Sequence, residues 1–514
     1  MMKAWIPIFV ILPLAGAFII PVLGGVWKST GRMLTPLIML VLTTVSVLFY
    51  AGEADLLVYY IGGWEFIDGV PIGIQFVVDG LSILMLTVIN LIAFFASFFS
   101  LSYMRRFTGK KYFYALFLLM VAGMNGVVIT GDLFNLFVFL EIAVIASYAL
   151  VAFGIEKAEL EASFKYQVLG GLASLLILLG IAVIYWQTST LNIADISYAL
   201  SQSEQQNTIL FVQLLFIAGF GLKAAMIPFH AWLPDAHPSA PAPISSMLSG
   251  VLIKAVGVYA ILRLFFNMFG ISYEIAMLIT VIGSISMVGG VFLAIGQWDF
   301  KRLLAYHSIS QMGYVVLGIG MGMTILSVNG DNRIAAMAIM GGLFHMVNHA
   351  VFKGLLFLNS GALEFRTGTR MLHEMGGVGE KMPLTSATTF SASMAISGIP
   401  PFNGFFSKLL IIIAAVAGGF YLMAALAVIV SLITLASFMK VHRYAFSGLA
   451  KFKGIKTLNE VPFSMGFSMV FLAFLCLGLS LLIIPVFRET ILAPAADVLM
   501  NTVQYSQNIL EQLL

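Results

Sequence analysis

Four lysines and one glutamate lie inside long apolar stretches of this sequence, where a charged side chain is costly. The lysines are Lys223, Lys254, Lys353 and Lys408, and the acid is Glu141, within LFNLFVFLEIAVIASYAL. A charge at the centre of a bilayer costs about 3 kcal/mol or more, so such groups usually mark an ion or proton pathway. We therefore predict that the five groups titrate together as one system. The alternative for Glu141 is a neutral, inert acid that hydrogen-bonds to a neighbouring helix.

Two histidines share a helical face with one of these lysines. His345, His349 and Lys353 follow one another at i, i+4 and i+8 in GGLFHMVNHAVFKGLLFLNSGAL, which places all three on one side of a helix. Histidine titrates near neutral pH and can pass a proton through its two ring nitrogens, so the trio can form a proton relay. A zinc site is the rival interpretation, but the glutamate of a zinc-protease helix is missing and no third ligand is evident. Either histidine alone could equally be a core residue that bonds a backbone carbonyl.

Further polar residues lie nearer the predicted helix ends. His307 and Gln311, at i and i+4 in KRLLAYHSISQMGYVVLG, could deliver protons inward or only pair with the neighbouring loop. His230 and His237 flank Asp235 in HAWLPDAHPSA. For His230, proton entry and simple packing are equal alternatives, whereas Asp235 is predicted to be a turn residue.

Proline-rich breaks interrupt two apolar stretches, and a lysine accompanies each break. The first lies in GFGLKAAMIPFHAWLPDAHPSAPAPISSMLSGVLIK, between Lys223 and Lys254, and the second is SGIPPFNGFFSK, from Ser397 to Lys408. The prolines of the first break are Pro228, Pro234, Pro238, Pro241 and Pro243. Proline removes a backbone donor, and carbonyls freed at membrane depth are tolerated only where protein or a water-filled cavity satisfies them. We predict two broken helices that line a hydrated interior.

The composition predicts an all-α polytopic membrane protein. Of 514 residues, 61% are hydrophobic and 10% are charged, and apolar runs of spanning length recur along the chain. The net charge of +3 is scattered among loops instead of forming a stripe, which argues against nucleic-acid binding. The single cysteine, Cys476, excludes an internal disulfide framework and a thiolate metal site. Because the sequence has no cysteine cluster and no dinucleotide-binding glycine motif, we predict no metal or cofactor of its own.

The apolar runs predict about fourteen membrane-spanning helices. Their rough bounds are 4–25, 33–50, 80–103, 113–130, 132–153, 163–185, 208–228, 244–268, 274–296, 303–325, 335–361, 384–418 (interrupted), 420–441 and 463–486. The first run has the length of a full span and precedes Lys28 and Arg32, so it is predicted to be a helix and not a signal peptide. The segment EADLLVYYIGGWEFIDGVPIGIQFVVDG predicts an external hairpin, and NTVQYSQNILEQLL predicts a short surface helix.

The distribution of basic residues predicts the orientation. They fall mostly in the loops after odd-numbered spans, whereas the opposite face holds Lys3, Arg263, Arg333 and Arg488. By the positive-inside rule the first set faces the cytoplasm. We therefore expect a multi-pass protein of the cell membrane with both termini on the outer face.

The two breaks occupy corresponding places in two blocks of five spans, spans four to eight and spans nine to thirteen. An odd number of helices per block forces the second block to run opposite to the first, as in transporters built from inverted repeats. The predicted organisation is an N-terminal three-helix segment with the hairpin at 1–111, the first block at 112–268, the inverted block at 269–442, and a C-terminal helix and tail at 443–514.

The segment KAAMIPFHAWLPDAHPSAPAPISSMLSGVLIKAVGVYAILR resembles the antiporter-like, proton-conducting subunit family. This family comprises the antiporter-like subunits of respiratory complex I, the large subunits of Mrp-type Na+/H+ antiporters and their relatives in energy-converting membrane-bound hydrogenases. The resemblance extends from FVVDGLS, near Asp79, to Lys408, which is most of the chain. It implies a proton pathway along the middle of the membrane.

Individual roles follow from the same resemblance. Glu141 would be the acidic partner of Lys223, Lys254 the bridging lysine, and Lys408 the residue near the outward exit. The full set of candidates, ending with three that rest on the residues alone, is Glu141, Lys223, Lys254, His345, His349, Lys408, Lys353, His307 and His230.

Two differences from the family pattern narrow the choice among its branches. Lys408 stands where one branch of complex I subunits carries glutamate, and the segment after Pro485 is too short for the lateral helix of the longest complex I type. GIPPFNGFFSKLLI is most similar to the Mrp D subunit and the corresponding hydrogenase subunit. The expected function is proton translocation within such a multisubunit assembly, with other membrane subunits and protons as partners and Na+ left open. A scaffold subunit whose lysines only lock helix packing is the alternative.

Overall fold

The computed structural model describes residues 2–52, 56–64, 73–448, 454–501 and 506–509. Within these ranges, thirteen helices are long and apolar enough to cross a membrane. The twelfth predicted span is instead divided into two shorter helices, Pro383–Ser397 and Asn403–Ala417. The prediction of an all-α polytopic fold with about fourteen spans is confirmed.

The helices are numbered in chain order. Those up to the first break are α1 (Ile8–Leu23), α2 (Thr30–Leu48), α3 (Gly80–Tyr103), α4 (Lys110–Ile129), α5 (Leu133–Val151), α6 (Lys157–Thr188), α7 (Ile193–Ser201) and α8 (Gln206–Lys223). The middle set is α9 (Leu233–Ser239), α10 (Ala242–Met247), α11 (Ala260–Asn267), α12 (Tyr273–Ile295), α13 (Phe300–Ser327) and α14 (Asn332–Thr367). The last set is α15 (Pro383–Ser397), α16 (Asn403–Ala417), α17 (Tyr421–Val441), α18 (Phe463–Gly478), α19 (Pro485–Ile491) and α20 (Ala493–Met500).

Burial separates central helices from peripheral ones. The apolar part of Ala242–Asn267 is 100% buried and that of α13 is 94% buried, whereas the corresponding values are 39% for α6 and 33% for Phe463–Ile483. An apolar helix face that the protein leaves open is suited to contact with lipid or with another subunit. The ionisable residues of the central helices are therefore enclosed by protein.

Glycines allow the central helices to approach closely. A Cβ atom at Gly313 of α13 would lie 2.2 Å from the backbone nitrogen of Met287 in α12, and one at Gly290 would lie 2.5 Å from the nitrogen of Ser310. Small residues at such crossings let backbones pack together without a hydrophobic driving force from water. Helices α12 and α13 are thus packed closely against each other.

The first break begins where α8 ends at Lys223, earlier than the predicted end at 228. The end of a helix leaves carbonyl groups without partners, and Trp232 Nε1 donates to the Leu222 carbonyl oxygen at 2.9 Å. The chain continues through α9 and α10 into two π-helical turns, Leu248–Leu252 and Lys254–Tyr259, before α11. π-helical turns misalign backbone hydrogen bonds and are frequent at functional sites. The predicted broken helix is confirmed, but the π-helical turns were not predicted.

The second break separates α15 from α16. Gly398, just after α15, has a φ of +76°, a left-handed conformation that glycine adopts without steric cost. A Cβ atom at Gly404 would lie 1.9 Å from the Ala395 carbonyl oxygen, so the two half-helices touch at a site where only glycine fits. The break therefore folds tightly and keeps Lys408, in α16, beside the end of α15.

The predicted hairpin contains a pair of antiparallel strands, whereas its external position stays a prediction. Strand β1 (Leu56–Tyr60) pairs antiparallel with β2 (Gln75–Asp79), and Leu56 lies opposite Asp79. Residues 65–72 of the predicted hairpin lie outside the described residues, as does most of the predicted surface helix after residue 501, where only 506–509 are described and are helical.

Arg263 in α11 is buried in an ion pair with Asp79 and does not lie in an exposed loop. Its Nη1 atom is 2.7 Å from Asp79 Oδ2, and its Nη2 atom is 3.0 Å from Oδ1. The bidentate pair joins α11 to the start of α3 and satisfies both charges where they are buried. The orientation count from the sequence assigned Arg263 to the outer face, and the structure shows that its side chain is buried within α11. The domain boundaries and the inverted relation of the two blocks stay predictions.

Candidate functional site

Glu141, Ser174 and Lys223 form a connected group between α5, α6 and the end of α8. The Lys223 ammonium is 3.5 Å from Glu141 Oε1. Ser174 bridges the pair, since its hydroxyl donates to Glu141 Oε1 at 2.5 Å and accepts from Lys223 Nζ at 2.9 Å. The Lys223 side chain is 1% exposed and that of Glu141 is 26% exposed. Glu141 thus reaches a buried lysine from the edge of the protein and is hydrogen-bonded there.

Helix α5 is held in place at its start and along its length. Asp132 caps it by accepting a hydrogen bond from the Asn135 amide at 2.6 Å. Burial raises the pKa of the Asp132 carboxyl, and its backbone hydrogen bonds partly oppose this effect. A Cβ atom at Gly123 of α4 would lie 2.5 Å from the backbone nitrogen of Ala143. This close contact between α4 and α5 fixes the position of α5, and with it that of Glu141.

Lys254 lies at the first residue of the second π-helical turn and is completely buried. Its ammonium donates to the Ser249 carbonyl oxygen at 2.7 Å. The Ser249 hydroxyl is in turn 2.7 Å from that of Ser308 in α13. A backbone carbonyl misaligned by the π-helical turn therefore supports a buried cation with no carboxylate within 4 Å in the described part of the chain.

The helices that carry Lys223 and Lys254 touch directly. A Cβ atom at Gly257 would lie 2.7 to 2.8 Å from atoms of Ala224, the residue after Lys223. Only glycine permits this approach, because any side chain would displace the backbone at the first break. The contact places the two lysines on adjoining segments.

His349 and Lys353 continue the series on α14. Both are fully buried, and a Cβ atom at Gly250 would lie 3.4 Å from the Ala350 carbonyl oxygen, so the Lys254 segment packs against this part of α14. Lys353 Nζ donates to the Leu304 carbonyl oxygen at 2.5 Å. Neither ring nitrogen of His349 has a hydrogen-bond partner among the described residues. Buried polar atoms without a protein partner are typical positions for internal water.

His345 connects α14 to α13 and α16. Its Nδ1 atom is 2.9 Å from Ser407 Oγ, and its Nε2 atom is 3.1 Å from Gln311 Oε1. Ser407 immediately precedes Lys408, so His345 contacts the residue next to the last lysine of the series. The segment of α14 that carries His345, His349 and Lys353 therefore contacts the Lys254 segment on one side and α16 on the other.

Lys408 satisfies the backbone that the second break frees. Its ammonium donates to the Ile396 carbonyl oxygen, in the last turn of α15, at 2.8 Å and to Ser431 Oγ at 3.0 Å. It also lies 4.6 Å from the centre of the Tyr314 ring, a cation–π distance. Lys408 therefore links the two half-helices of the second break.

The two remaining histidine candidates have other hydrogen-bond surroundings. His307 Nε2 is 2.9 Å from Ser437 Oγ, and its ring packs on Phe438. His230 is half-buried in the first break, and its Nδ1 atom has no hydrogen-bond partner among the described residues. Among the described residues, neither histidine is hydrogen-bonded to a lysine of the series.

Asp235 is not a turn residue. It lies inside α9, where its carboxylate is 3.2 Å from Lys165 Nζ and 3.3 Å from Arg302 Nη1. These ion pairs attach the short helix of the first break to α6 and α13. The sequence could not indicate this, because both partners are far away along the chain.

A family model described as NADH:quinone oxidoreductase/Mrp antiporter, TM, matches residues 130–434, more than half of the chain. The chain belongs to this family. A second model, described as NADH-Ubiquinone oxidoreductase (complex I), chain 5 N-terminus, matches residues 64–114. The resemblance that the sequence suggested is confirmed.

Relatives of this oxidoreductase/antiporter family cover most of the chain. The D subunit of the Na(+)/H(+) antiporter of Alkalihalophilus pseudofirmus is 33% identical over 98% of this chain and 99% of its own length. The N subunit of the NADH-quinone oxidoreductase of Desulforudis audaxviator is 33% identical over 87% of each chain. Hydrogenase-4 component B of Escherichia coli is 32% identical over 78% of this chain and 62% of its own length.

Two solved structures of multisubunit complexes contain chains of the same shape. A chain of the Mrp complex from Dietzia sp. DQ12-45-1b superposes with a TM-score of 0.88 at 28% identity, over 99% of this chain and 100% of that one. A chain of the membrane-bound sulfane sulfur reductase, an archaeal respiratory membrane complex, gives a TM-score of 0.84 at 28% identity, over 99% of each. The antiporter-family fold of this chain is thus that of a subunit within larger membrane assemblies.

The sequence did not single out several residues of this antiporter-family site. Ser174, Ser407 and Ser431 contact the ionisable groups directly. His237 in α9 is fully buried, stacks on Phe357 at 4.8 Å, and has neither ring nitrogen paired among the described residues. Serines are common in membrane helices, and no spacing in the sequence marked these three. His237 resembles His349 because both ring nitrogens of each are buried without a hydrogen-bond partner among the described residues.

Proposed function

We propose that this chain is a proton-translocating subunit of a multisubunit assembly, either an Mrp-type Na+/H+ antiporter or a related hydrogenase or complex I-like complex. Family membership supports the class of protein. The observation that carries the proposal is the Glu141–Ser174–Lys223 group, in which an acid on α5 forms an ion pair with a buried lysine and Ser174 is hydrogen-bonded to both. Intramembrane ionisable groups are rare and usually belong to transport pathways.

Proton movement begins, in this proposal, with the separation of Glu141 from Lys223. At 3.5 Å the two charges attract by about 5 kcal/mol at an effective dielectric constant of about 20. While the pair is closed, Lys223 keeps its proton. When Glu141 moves away, the uncompensated ammonium is costly in its buried site and releases the proton toward Lys254.

The later steps use groups whose partners are uncharged. Lys254, Lys353 and Lys408 each donate to a backbone carbonyl oxygen. His349 and His345 lie between them, and water at the unpaired nitrogens of His349 would connect the groups. Lys408 would discharge the proton on the outward side when another positive charge approaches it.

A scaffold role is the second candidate, and one observation favours it. Even without transport, the carbonyl contacts of Lys254 and Lys408 would hold the irregular segments closed, and that of Lys353 would join α14 to α13. The two functions differ in what the loss of Lys408 removes: a scaffold would lose assembly, whereas a conduit would lose transport and stay assembled.

The test is the substitution Lys408→Gln in the assembled complex, reconstituted in vesicles that report internal pH. We expect normal amounts of complex and a loss of coupled proton movement. Lys440→Gln is the matched control, since Lys440 also donates to two carbonyl oxygens, those of Ile295 and Gln297, but lies at the surface end of α17. Loss of the complex in Lys408→Gln together with normal transport by whatever complex remains would instead establish the scaffold role.

We further propose location in the cell membrane with both termini on the outer face, and two five-helix blocks at 112–268 and 269–442 within the boundaries predicted above. The excess of lysine and arginine in the loops after odd-numbered spans supports this orientation. A membrane-impermeant thiol reagent applied to intact cells should label Arg333→Cys and spare Lys157→Cys. Labelling of the second variant alone would reverse the orientation.

The partners proposed are other membrane subunits, with protons and Na+ as the transported ions. The type of assembly can be decided by purifying the native complex and measuring nickel, iron–sulfur clusters and flavin. Their presence would place the chain in a redox-driven complex, and a set of small membrane proteins without them would favour the antiporter.

A further inference from the structure

We propose that the ends of α1 to α4 form a binding site for the headgroup of an anionic phospholipid. A cavity of about 260 Å³ opens there between the α1–α2 and α3–α4 connections. Five basic side chains line this basic pocket: Lys28, Arg32, Arg105, Lys110 and Lys111. No acidic residue is among the residues that line it. The proposal does not depend on the function proposed above.

The basic pocket differs from several other basic positions on the face predicted to be cytoplasmic, which are paired with carboxylates. On that face, Lys165 and Arg302 pair with Asp235, Lys301 with Glu364, and Arg370 with Asp299. None of the five pocket residues has a carboxylate within 4 Å among the described residues.

The positive-inside rule accounts for basic residues in these loops, but not for their crowding around one cavity without an acid. Like charges brought together repel one another unless an anion joins them. Among the described residues no carboxylate offsets this charge, so a bound anion would relieve the repulsion.

The groups in the basic pocket suit a phosphodiester. Arginine binds phosphate oxygens through two parallel N–H groups, and lysine adds a compact positive charge. Tyr114 also lines the cavity, and its hydroxyl oxygen lies 3.2 Å from Ser100 Oγ. Gly31 brings the α2 backbone against the Tyr114 ring, where a Cβ atom would lie only 3.0 Å away.

The apolar surface beside the basic pocket identifies the ligand as a lipid. Val26 and Trp27, next to Lys28, are 77% and 64% exposed, and Met33, next to Arg32, is 71% exposed. The adjoining helix α1 exposes Val22 at 74% and Phe18 at 69%. Basic pockets between membrane helices on the cytoplasmic side bind anionic headgroups, and an exposed tryptophan is typical of the level where headgroups meet acyl chains. A lipid would place its phosphate in the pocket and its chains along α1.

The experiment measures phospholipid bound to the purified full-length chain in detergent by native mass spectrometry, with added phosphatidylglycerol or phosphatidylcholine. We expect retention of phosphatidylglycerol and little phosphatidylcholine. Arg32→Gln with Arg105→Gln should lower the affinity for phosphatidylglycerol about 25-fold, the effect expected for two basic groups near an anionic surface. Lys157→Gln with Lys381→Gln, which removes the same charge from exposed positions outside the pocket, should leave the affinity unchanged.

Two further measurements distinguish a bound lipid from a free anion and from a general loss of fold. Arg32→Lys with Arg105→Lys keeps the charge and the fold, and should retain part of the binding. Excess inorganic phosphate should not displace the lipid, because it lacks acyl chains. Equal loss of lipid in both charge-neutralised pairs, displacement by phosphate, or no preference for phosphatidylglycerol would each overturn the proposal. Absence of bound lipid would overturn it as well, in favour of an acidic segment of a partner subunit as the countercharge.

Discussion

Replacement of Glu141 by glutamine tests the first step of the proposed pathway. Glutamine has nearly the same shape and can still accept the hydrogen bond of Ser174, so the packing of α5 should be kept. The change removes a Coulomb attraction of about 5 kcal/mol from Lys223, taken at 3.5 Å and an effective dielectric constant of about 20. Each 1.4 kcal/mol is a factor of ten in an equilibrium constant, so the equilibrium constant for proton binding to Lys223 should fall about a thousandfold or more.

The assay is coupled proton movement in vesicles that contain the assembled complex, with the amount of complex measured in the same samples. Glu141→Gln should assemble normally and lose transport, and Glu141→Asp should retain part of it because the charge remains. Glu161→Gln is the control, since Glu161 also pairs with a lysine, Lys165 at 2.8 Å, but at the exposed end of α6. Transport at the unmodified rate in Glu141→Gln would refute the proposed role of the pair.

Two further substitutions address how the site is held together. Ser174→Ala removes the bridging hydroxyl but leaves both charges. Because hydrogen bonds to charged groups contribute about 1.5 to 3 kcal/mol each, we expect transport in the same vesicles to fall about tenfold or more without being abolished. Unchanged transport would show that the bridge is dispensable. Gly257→Val forces atoms against Ala224, so we expect a loss of about 1 to 3 kcal/mol of stability, seen as a lower melting temperature of the purified chain. Gly171→Val on α6, where no atom lies within 4 Å, is the control, and equal effects of the two would argue against a special contact at Gly257.

The sequence predicted the ionisable residues and the breaks because both violate the rules of an apolar helix. Lys223 and Lys408 stand out in any apolar run, and consecutive prolines mark a break without reference to other helices. The same reasoning could not find Ser174 or Ser431, since a serine in a membrane helix carries no such signal. It also missed the π-helical turn at Lys254, because that geometry depends on the close packing of Gly257 against another segment.

The charged residues whose surroundings the sequence did not indicate share a physical cause. Arg263 was counted on the outer face by its position along the chain, yet it pairs with Asp79 across 184 residues of sequence and both charges are buried. Asp235 was assigned to a turn because of its neighbouring prolines, yet Lys165 and Arg302 hold it in a short helix. Long-range ion pairs decide whether a charged residue near a membrane surface is exposed, and local sequence does not record them.

The coincidence of lysines with irregular helices has a common explanation. A broken or π-helical segment frees carbonyl groups that must be satisfied inside the protein. Lys254 and Lys408 satisfy such groups, at Ser249 and Ile396, with a charge that no described carboxylate balances. Neutral carbonyls stabilise an ammonium less than a carboxylate does. In the pathway proposed above, the irregular backbone would therefore supply positions for a proton without a paired acid, and a proton released from Lys223 would continue without being trapped by a second buried acid.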